Sequence, residues 1–157
     1  MGGDATGPKP TDRGKPGTKR HLVVDRQGSP VAVTLSAATV NEVTRLEETL
    51  EAIEPLKRPC GRPRKRPAKL HADKGYDSAA TRHALRRRGI SARIARRGIE
   101  SSEKLGRYRW VVERTGAGRK QYRRLRIRYE RRADSHLAFL HLGCALICWN
   151  FMMNAFC

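Results

Sequence analysis

The chain has 157 residues, with 34 Lys and Arg against 15 Asp and Glu, for a formal net charge of +19. One domain of ordinary size accommodates that length, and a field of this sign excludes cationic partners and selects polyanions, nucleic acid first. No apolar run opens the chain, which excludes a secretory signal there, and the cysteines at 60, 144, 148 and 157 form no Cys-x-x-Cys pair, so a reducing cytoplasm fits better than a disulfide scaffold or a zinc site.

Residues 1–18 hold Gly, Pro, Lys and Asp without periodicity and are expected to be a flexible segment, with order beginning at about Lys19. His21-Leu-Val-Val-Asp25 and Pro30-Val-Ala-Val-Thr-Leu35 then predict an antiparallel hairpin with Gly28 in the turn. Asp25 at its corner reads as a turn residue bonding its own backbone, ahead of a metal ligand.

From Asn41 to Ile53 the apolar Val43, Leu46, Leu50 and Ile53 recur at helical spacing, with Asn41 as N-cap and Glu42, Glu47, Glu48 and Glu51 on the other side. That acidic face is expected to turn away from DNA. Residues 57–69 are a Pro-broken basic run and read as a loop. Within it Gly61-Arg62-Pro63 matches the core of an AT-hook, but three residues are a short match. The preferred reading is a solvated loop in which Arg62, Arg64, Lys65 and Arg66 contact phosphates without reading sequence.

Ala68-Lys-Leu-His-Ala72 predicts a strand ending at Asp73, Ser78 to Arg88 a helix closed by Gly89, and Ile90-Ser-Ala-Arg-Ile94 a second strand. Strand, helix, strand implies a parallel crossover that leaves Asp73 at the carboxyl end of the first strand, where open α/β sheets place ligands. Residues 107–132 carry eleven basic residues and two acids, Glu113 and Glu130. On a helix Arg109, Glu113 and Lys120 fall within a stripe of about 40°. Two readings stay open: a cation-flanked carboxylate able to hold a metal and the phosphates around it, or a solvated basic face on which Glu113 pairs with Arg109. Trp110, beside Val111 and Val112, reads as core packing ahead of a platform for a displaced base.

Leu137 to Phe156 contains no charged residue and is long enough to span a bilayer. His141, Asn150, Asn154 and the small Ala138, Gly143 and Ala145 favour a helix buried against a sheet, with Cys144 and Cys148 as small buried hydrophobes on one face, so a membrane is not expected as a partner.

Six segments carry a resemblance that covers nearly the whole chain: Gly7-Pro8, Thr11-Asp-Arg-Gly-Lys-Pro-Gly17, Leu70-His-Ala-Asp-Lys-Gly-Tyr-Asp77, Ile94-Ala-Arg-Arg-Gly98, Arg109-Trp-Val-Val-Glu-Arg-Thr115 and Tyr129-Glu-Arg-Arg132. In this order they resemble the DDE-type transposases of bacterial insertion sequences, in particular insertion-sequence family five. The resemblance implies a ribonuclease-H-like α/β fold whose three carboxylates, two Asp and one Glu, hold two divalent ions, Mg²⁺ or Mn²⁺. Asp73 matches the second Asp and Glu113 the Glu. Arg109 and Lys120 match the Arg and Lys that flank the Glu in the family's Tyr-Arg-Glu-Lys pattern, whose tyrosine position holds Gly106 here.

The implied activity is metal-dependent cleavage at element ends and strand transfer. The implied partners are double-stranded DNA and, as protein, a second copy or a full-length transposase. Family members place the first Asp on a strand preceding the Gly-Gly segment with which this chain opens. The fold is therefore expected to be incomplete, a partial catalytic domain over residues 19–157 with impaired turnover, and the rival reading is a non-catalytic DNA-binding fragment. Gly116-Ala-Gly-Arg-Lys-Gln121 stands where the family carries bulky apolar residues, and its two helix-interior glycines are expected to cost about 1 kcal/mol each relative to Ala.

Overall fold

A computed structural model of the chain describes residues 3–10, 12–57, 60–96 and 106–156, giving the backbone alone for 106–109, 119–120 and 155–156. It is mixed α/β. The first layer is an antiparallel sheet in which β1 (Gly7–Pro8), β2 (Pro16–Val24) and β3 (Pro30–Ala37) lie side by side in chain order. The β2–β3 turn is built as its residue types dictate. Asp25 Oδ1 accepts from the backbone N–H of Gln27 at 2.9 Å and of Ser29 at 2.8 Å, and Gly28 takes a φ of 97°. Pairing starts ahead of Lys19, because a turn closed by the Lys9 N–H on the Lys15 carbonyl (2.9 Å) sets Gly7 opposite Gly17 and Pro8 opposite Pro16.

Successive side chains of β3 point to opposite faces, and both faces are covered. Ala32 joins Leu50, Ile53, Leu70, Leu85, Ile90 and Ile94 in one core; Val33 joins Leu125 and Leu140 in another. The first core is roofed by a 3₁₀ turn (Glu42–Arg45) running into α1 (Leu46–Glu51). Asn41 caps it as expected, its Oδ1 accepting from the Val43 N–H at 3.1 Å, but regular helix begins only at Leu46. The β-branched Thr44 turns its hydroxyl back onto the Asn41 carbonyl (2.7 Å), which favours the tighter turn there. Thr49 donates its hydroxyl to the Arg45 carbonyl (2.7 Å) and so accepts from Thr34 on β3 (2.8 Å), a buried polar contact left with no open donor.

The predicted crossover completes this core. β4 (Lys69–Ala72) and β5 (Ser91–Ile94) pair in parallel through α2 (Ala79–Arg87), which Ser78 caps (Thr81 N–H to Oγ, 3.0 Å) and Gly89 ends at a φ of 64°. Arg88 binds Glu47 at 3.0 Å and Glu51 at 2.6 Å, so part of the acidic face of α1 is occupied in holding α2.

The second core is roofed by α3 (Gly106–Lys120), α4 (Arg123–Arg126) and α5 (Ala133–Phe156). α3 docks on the hairpin turn: the buried Thr115 hydroxyl donates to the Gly28 carbonyl at 2.6 Å. α5 presents His136, Leu140, Gly143 and Ile147 inward. Gly143 allows close packing there, since a Cβ would lie 2.4 Å from Leu125 Cδ1 and force that side chain to move. The expectation of a helix buried against a sheet holds for this face alone. The opposite face is exposed, and Cys144 and Cys148 are half-buried rather than buried, because they sit at the margin where α5 meets β3.

His136, fully enclosed, joins the layers: Arg20 Nε–H donates to its Nε2 (3.3 Å), which leaves Nδ1–H to donate to Glu130 (3.1 Å). Burial pushes its pKa below the usual imidazole value. The Glu130 bond pulls the other way, and the Arg20 and Arg128 guanidiniums push it down again. His21, bonded to Ser36 at 2.8 Å, is likewise lowered by burial.

Two predictions follow from the packing and the titration. Among the described residues, and apart from α3's own backbone and the adjacent residues, nothing lies within 4 Å of a Cβ built on Gly116 or Gly118, so Ala at either position should stabilise α3 by about 1 kcal/mol, read from the denaturant midpoint. A group whose pKa is lowered on folding binds its proton in the unfolded chain first, so the stability that His136 and His21 support is complete above about pH 6.5 and is lost as the pH falls through that value. The thermal midpoint at fixed salt should drop by several degrees on going from about pH 7.5 to 5.5, and His136→Gln should flatten that slope.

Candidate active site

Asp73 follows the last residue of β4 and begins a 3₁₀ turn over Lys74–Tyr76. Its Oδ1 accepts from the Lys74 N–H at 2.7 Å, and its carbonyl from the Tyr76 N–H at 2.9 Å. This cap fixes the carboxylate at the carboxyl end of the strand while leaving it exposed. Arg82 secures the following bend by reaching Asp77 (2.9 Å) and the Ile94 carbonyl at the end of β5 (2.8 Å).

Asp73 lines a cavity of about 320 Å³ together with residues that include Lys19, Asn41, Glu42, Gly75 and Tyr76. Burial, followed by the charges of Glu42 and Asp73, pushes the Tyr76 phenol up to about 12. Two carboxylates thus make the site locally negative inside a cationic chain. Lys19, also on its lining, donates from Nζ to the Val40 carbonyl at 3.0 Å and lies 3.6 Å from Glu42. Glu42, from the acidic side of this helical segment, lines the cavity with Asp73. It sits at the N-terminal end of the turn, which packs beside Tyr76, whereas Glu47 and Glu51 are drawn to α2. The signal available in the sequence was its place directly after the capping Asn41.

Glu113 lies exposed on α3 and is not among the residues lining that cavity. Among the described residues no group of three or more His, Cys, Asp or Glu side chains comes together to hold a metal. The donors that are present suit a hard divalent cation. Asp73 has one oxygen bound to a backbone N–H, so its exposed carboxylate can offer the other without losing the cap.

The side chains of Arg109 and Lys120 lie outside the described residues, although α3 is continuous over both positions and keeps the helical phase that puts them on the Glu113 face. Arg62, Arg64 and Lys65 are exposed on the loop, as expected. Arg66 differs: it donates to the Arg88 carbonyl at 2.8 Å and anchors the loop over Gly89. Trp110 corrects the core reading, since 51% of it is exposed and the Arg114 guanidinium lies 4.7 Å from its ring centroid. Val111 and Thr115, four apart, are the residues α3 turns inward, and Trp110 falls on the flank. A second cavity, of about 440 Å³, is lined by Arg123, Arg124 and Tyr129.

Comparison with known proteins adds to this geometry. The family model for the transposase DDE domain matches residues 3–151. A protein of Burkholderia cepacia named as a transposase for insertion sequence element IS402 is 55% identical over 150 residues, which is 96% of this chain and 71% of that one. Among solved structures none matches.

The cap predicts how Asp73 variants behave. Asn keeps a side-chain acceptor for the Lys74 N–H, so Asp73→Asn should leave the thermal midpoint where it is, whereas Asp73→Ala should cost about 1 kcal/mol in a thermal melt.

Proposed function

The chain belongs to the family of DDE transposases, and on that premise we propose that Asp73 and Glu113 are its metal-holding carboxylates, with Mg²⁺ or Mn²⁺ as the ion. Its function is transposition of an insertion sequence, by cutting DNA and transferring strands. The family's chemistry depends on divalent metal. When bound, the metal lowers the pKa of the attacking water or 3′-hydroxyl and stabilises the leaving oxygen. The observation that carries the reading is the placement of Asp73, capped and exposed at the carboxyl end of a parallel strand, on a cavity wide enough for a hydrated cation.

In this reading Asp73 and Glu113 hold the ion, and Arg109 and Lys120 grip phosphates beside the scissile bond. Arg62, Arg64, Lys65 and Arg66 contact the backbone further along the duplex, Arg66 from its anchored position. The parallel β4–α2–β5 unit supports a ribonuclease-H-like fold for the catalytic domain; the boundary expected at residue 19 falls inside β2, so the β1–β2 pairing is taken into that domain. The proposed setting is the bacterial cytoplasm at the nucleoid, with element ends and target DNA as partners and a second copy or a full-length relative as protein partner. A specific observation also favours the rival reading, a non-catalytic DNA-binding fragment: no three-carboxylate group assembles among the described residues.

The experiment that separates them is nicking of DNA bearing the element's ends in the presence of Mg²⁺. Outer-sphere partners of a metal are already worth about 10–100-fold, so Asp73→Asn and Glu113→Gln should each reduce nicking by about 100-fold or more. Affinity for DNA should persist in both and fall steeply with salt, with a slope of about −0.9 per phosphate contact. Binding without nicking in the unsubstituted chain would establish the non-catalytic reading instead.

A further inference from the structure

The cavity beside Asp73 contains a cation of its own. Among the described residues that line it, Asp73 and Glu42 are the acids and Lys19 alone is basic. Pairing of β2 with β3 sets Lys19 opposite Ser36 and so fixes its backbone, while the flexible four-carbon stem lets the ammonium swing. Two contacts hold that ammonium. One is a hydrogen bond, donated to the Val40 carbonyl at 3.0 Å; the other, to Glu42 at 3.6 Å, is too long for a hydrogen bond and is attraction between charges. Both side chains of this ion pair are partly exposed, and pairs of that kind hold weakly. Arg88, by contrast, is clamped by Glu47 and Glu51 at hydrogen-bond distance. Lys19 rests on Glu42 without being locked to it.

We propose that Lys19 is a movable counter-charge of the metal site: resting on Glu42 it opposes the cation that Asp73 holds, and drawn onto a DNA phosphate it ceases to oppose that cation and grips the strand beside it. The inference rests on the reading of Asp73 as a metal-holding carboxylate and adds to it the residue that ties cation to DNA. A cavity of about 320 Å³ is comparable in width to the Debye length, about 8 Å at physiological ionic strength, so salt only partly screens the ammonium from a cation in the same space. A single and a double positive charge at that separation repel enough to weaken binding about 5-fold, the lower dielectric of a protein wall offsetting what salt removes.

A phosphate changes the balance at Lys19. Its oxygens accept strong, charge-assisted hydrogen bonds, whereas the resting position offers one carbonyl and one carboxylate beyond bonding distance. Moving onto the phosphate neutralises the ammonium and releases Glu42 to the cavity. Cation and DNA then favour each other's binding, and the coupling is reciprocal because it is a property of the equilibrium.

The test has two arms on the nuclease-treated chain, neither of which needs turnover. In the first, Mn²⁺ is titrated into the protein without DNA and the free ion is followed by electron paramagnetic resonance. Lys19→Met should tighten binding about 5-fold, and Lys19→Arg, which restores the charge, should return it to the original value. Asp73→Asn should weaken it, which reports on the metal site itself. In the second arm, affinity for a short DNA duplex is measured against salt in EDTA, and Lys19→Met should make the slope shallower by about 0.9, the share of one phosphate contact. Should Lys19→Met lose the far-ultraviolet circular dichroism of the folded chain, Lys19→Gln, which removes the charge but keeps a donor for Val40, serves in both arms. If Asp73→Asn weakens Mn²⁺ binding while loss of the Lys19 charge fails to tighten it, or leaves the salt slope unchanged, the inference alone is overturned. Mn²⁺ affinity indifferent to Asp73→Asn would overturn the metal reading and this inference with it.

Discussion

Burial of β3 on both faces is the constraint from which the rest of the molecule follows. A strand covered on one side only would leave Val33 or Ala32 in water, and neither neighbouring layer could form alone. The first layer needs Ala32 to close the core of Leu50, Leu70, Leu85 and Ile94; the second needs Val33 to close that of Leu125 and Leu140. Because the two residues are adjacent, the pleat ties the layers together at a spacing of one residue, and any register slip would exchange them. The hairpin turn therefore does more than reverse the chain. Asp25 and Gly28 hold the register, and the Gly28 carbonyl then receives Thr115, so the turn also sets where α3 and Glu113 lie.

Charge is organised around the same frame. In a chain with so few acids, those the structure pairs are anchored by cations: Glu47 and Glu51 by Arg88, Glu48 by Arg45, Asp77 by Arg82, Glu130 by Arg124. Asp73 is held differently, by the backbone N–H of Lys74, which fixes the carboxylate without neutralising it. Glu42, with Lys19 at 3.6 Å, lies close enough to Tyr76 that its charge adds to burial in raising the phenol's pKa. The two carboxylates thus stand together within a strongly basic body, the contrast on which the proposed metal-holding role of Asp73 rests.

The hairpin, the Asn41 cap, the parallel crossover and the position of Asp73 were all legible in the sequence. In each case the deciding interactions are local: a β-branched alternation, an Asx turn, a serine cap, a glycine at positive φ. Where reading failed, a distant partner decided. Trp110 looks like core beside Val111 and Val112, yet helical phase gives the inward side to Val111 and Thr115, and Arg114 covers the ring instead. Gly143 passes for a generic small residue until Leu125 is seen to occupy the space of its missing Cβ.

Composition, hydrophobic period and motif order by themselves marked out a strongly basic chain that selects polyanions, a carboxylate at a strand's end, a second on a helix, and elements short enough to be set by their own caps and turns. Those features act over a few residues, so they are written in the order of the chain. Tertiary structure alone decided that Glu42 shares the cavity of Asp73, that His136 is sealed between Arg20 and Glu130, and that one side of α5 is covered while the other stands open. Each depends on which surfaces meet when β3 is enclosed, and packing between residues a hundred positions apart leaves no period in the sequence to read.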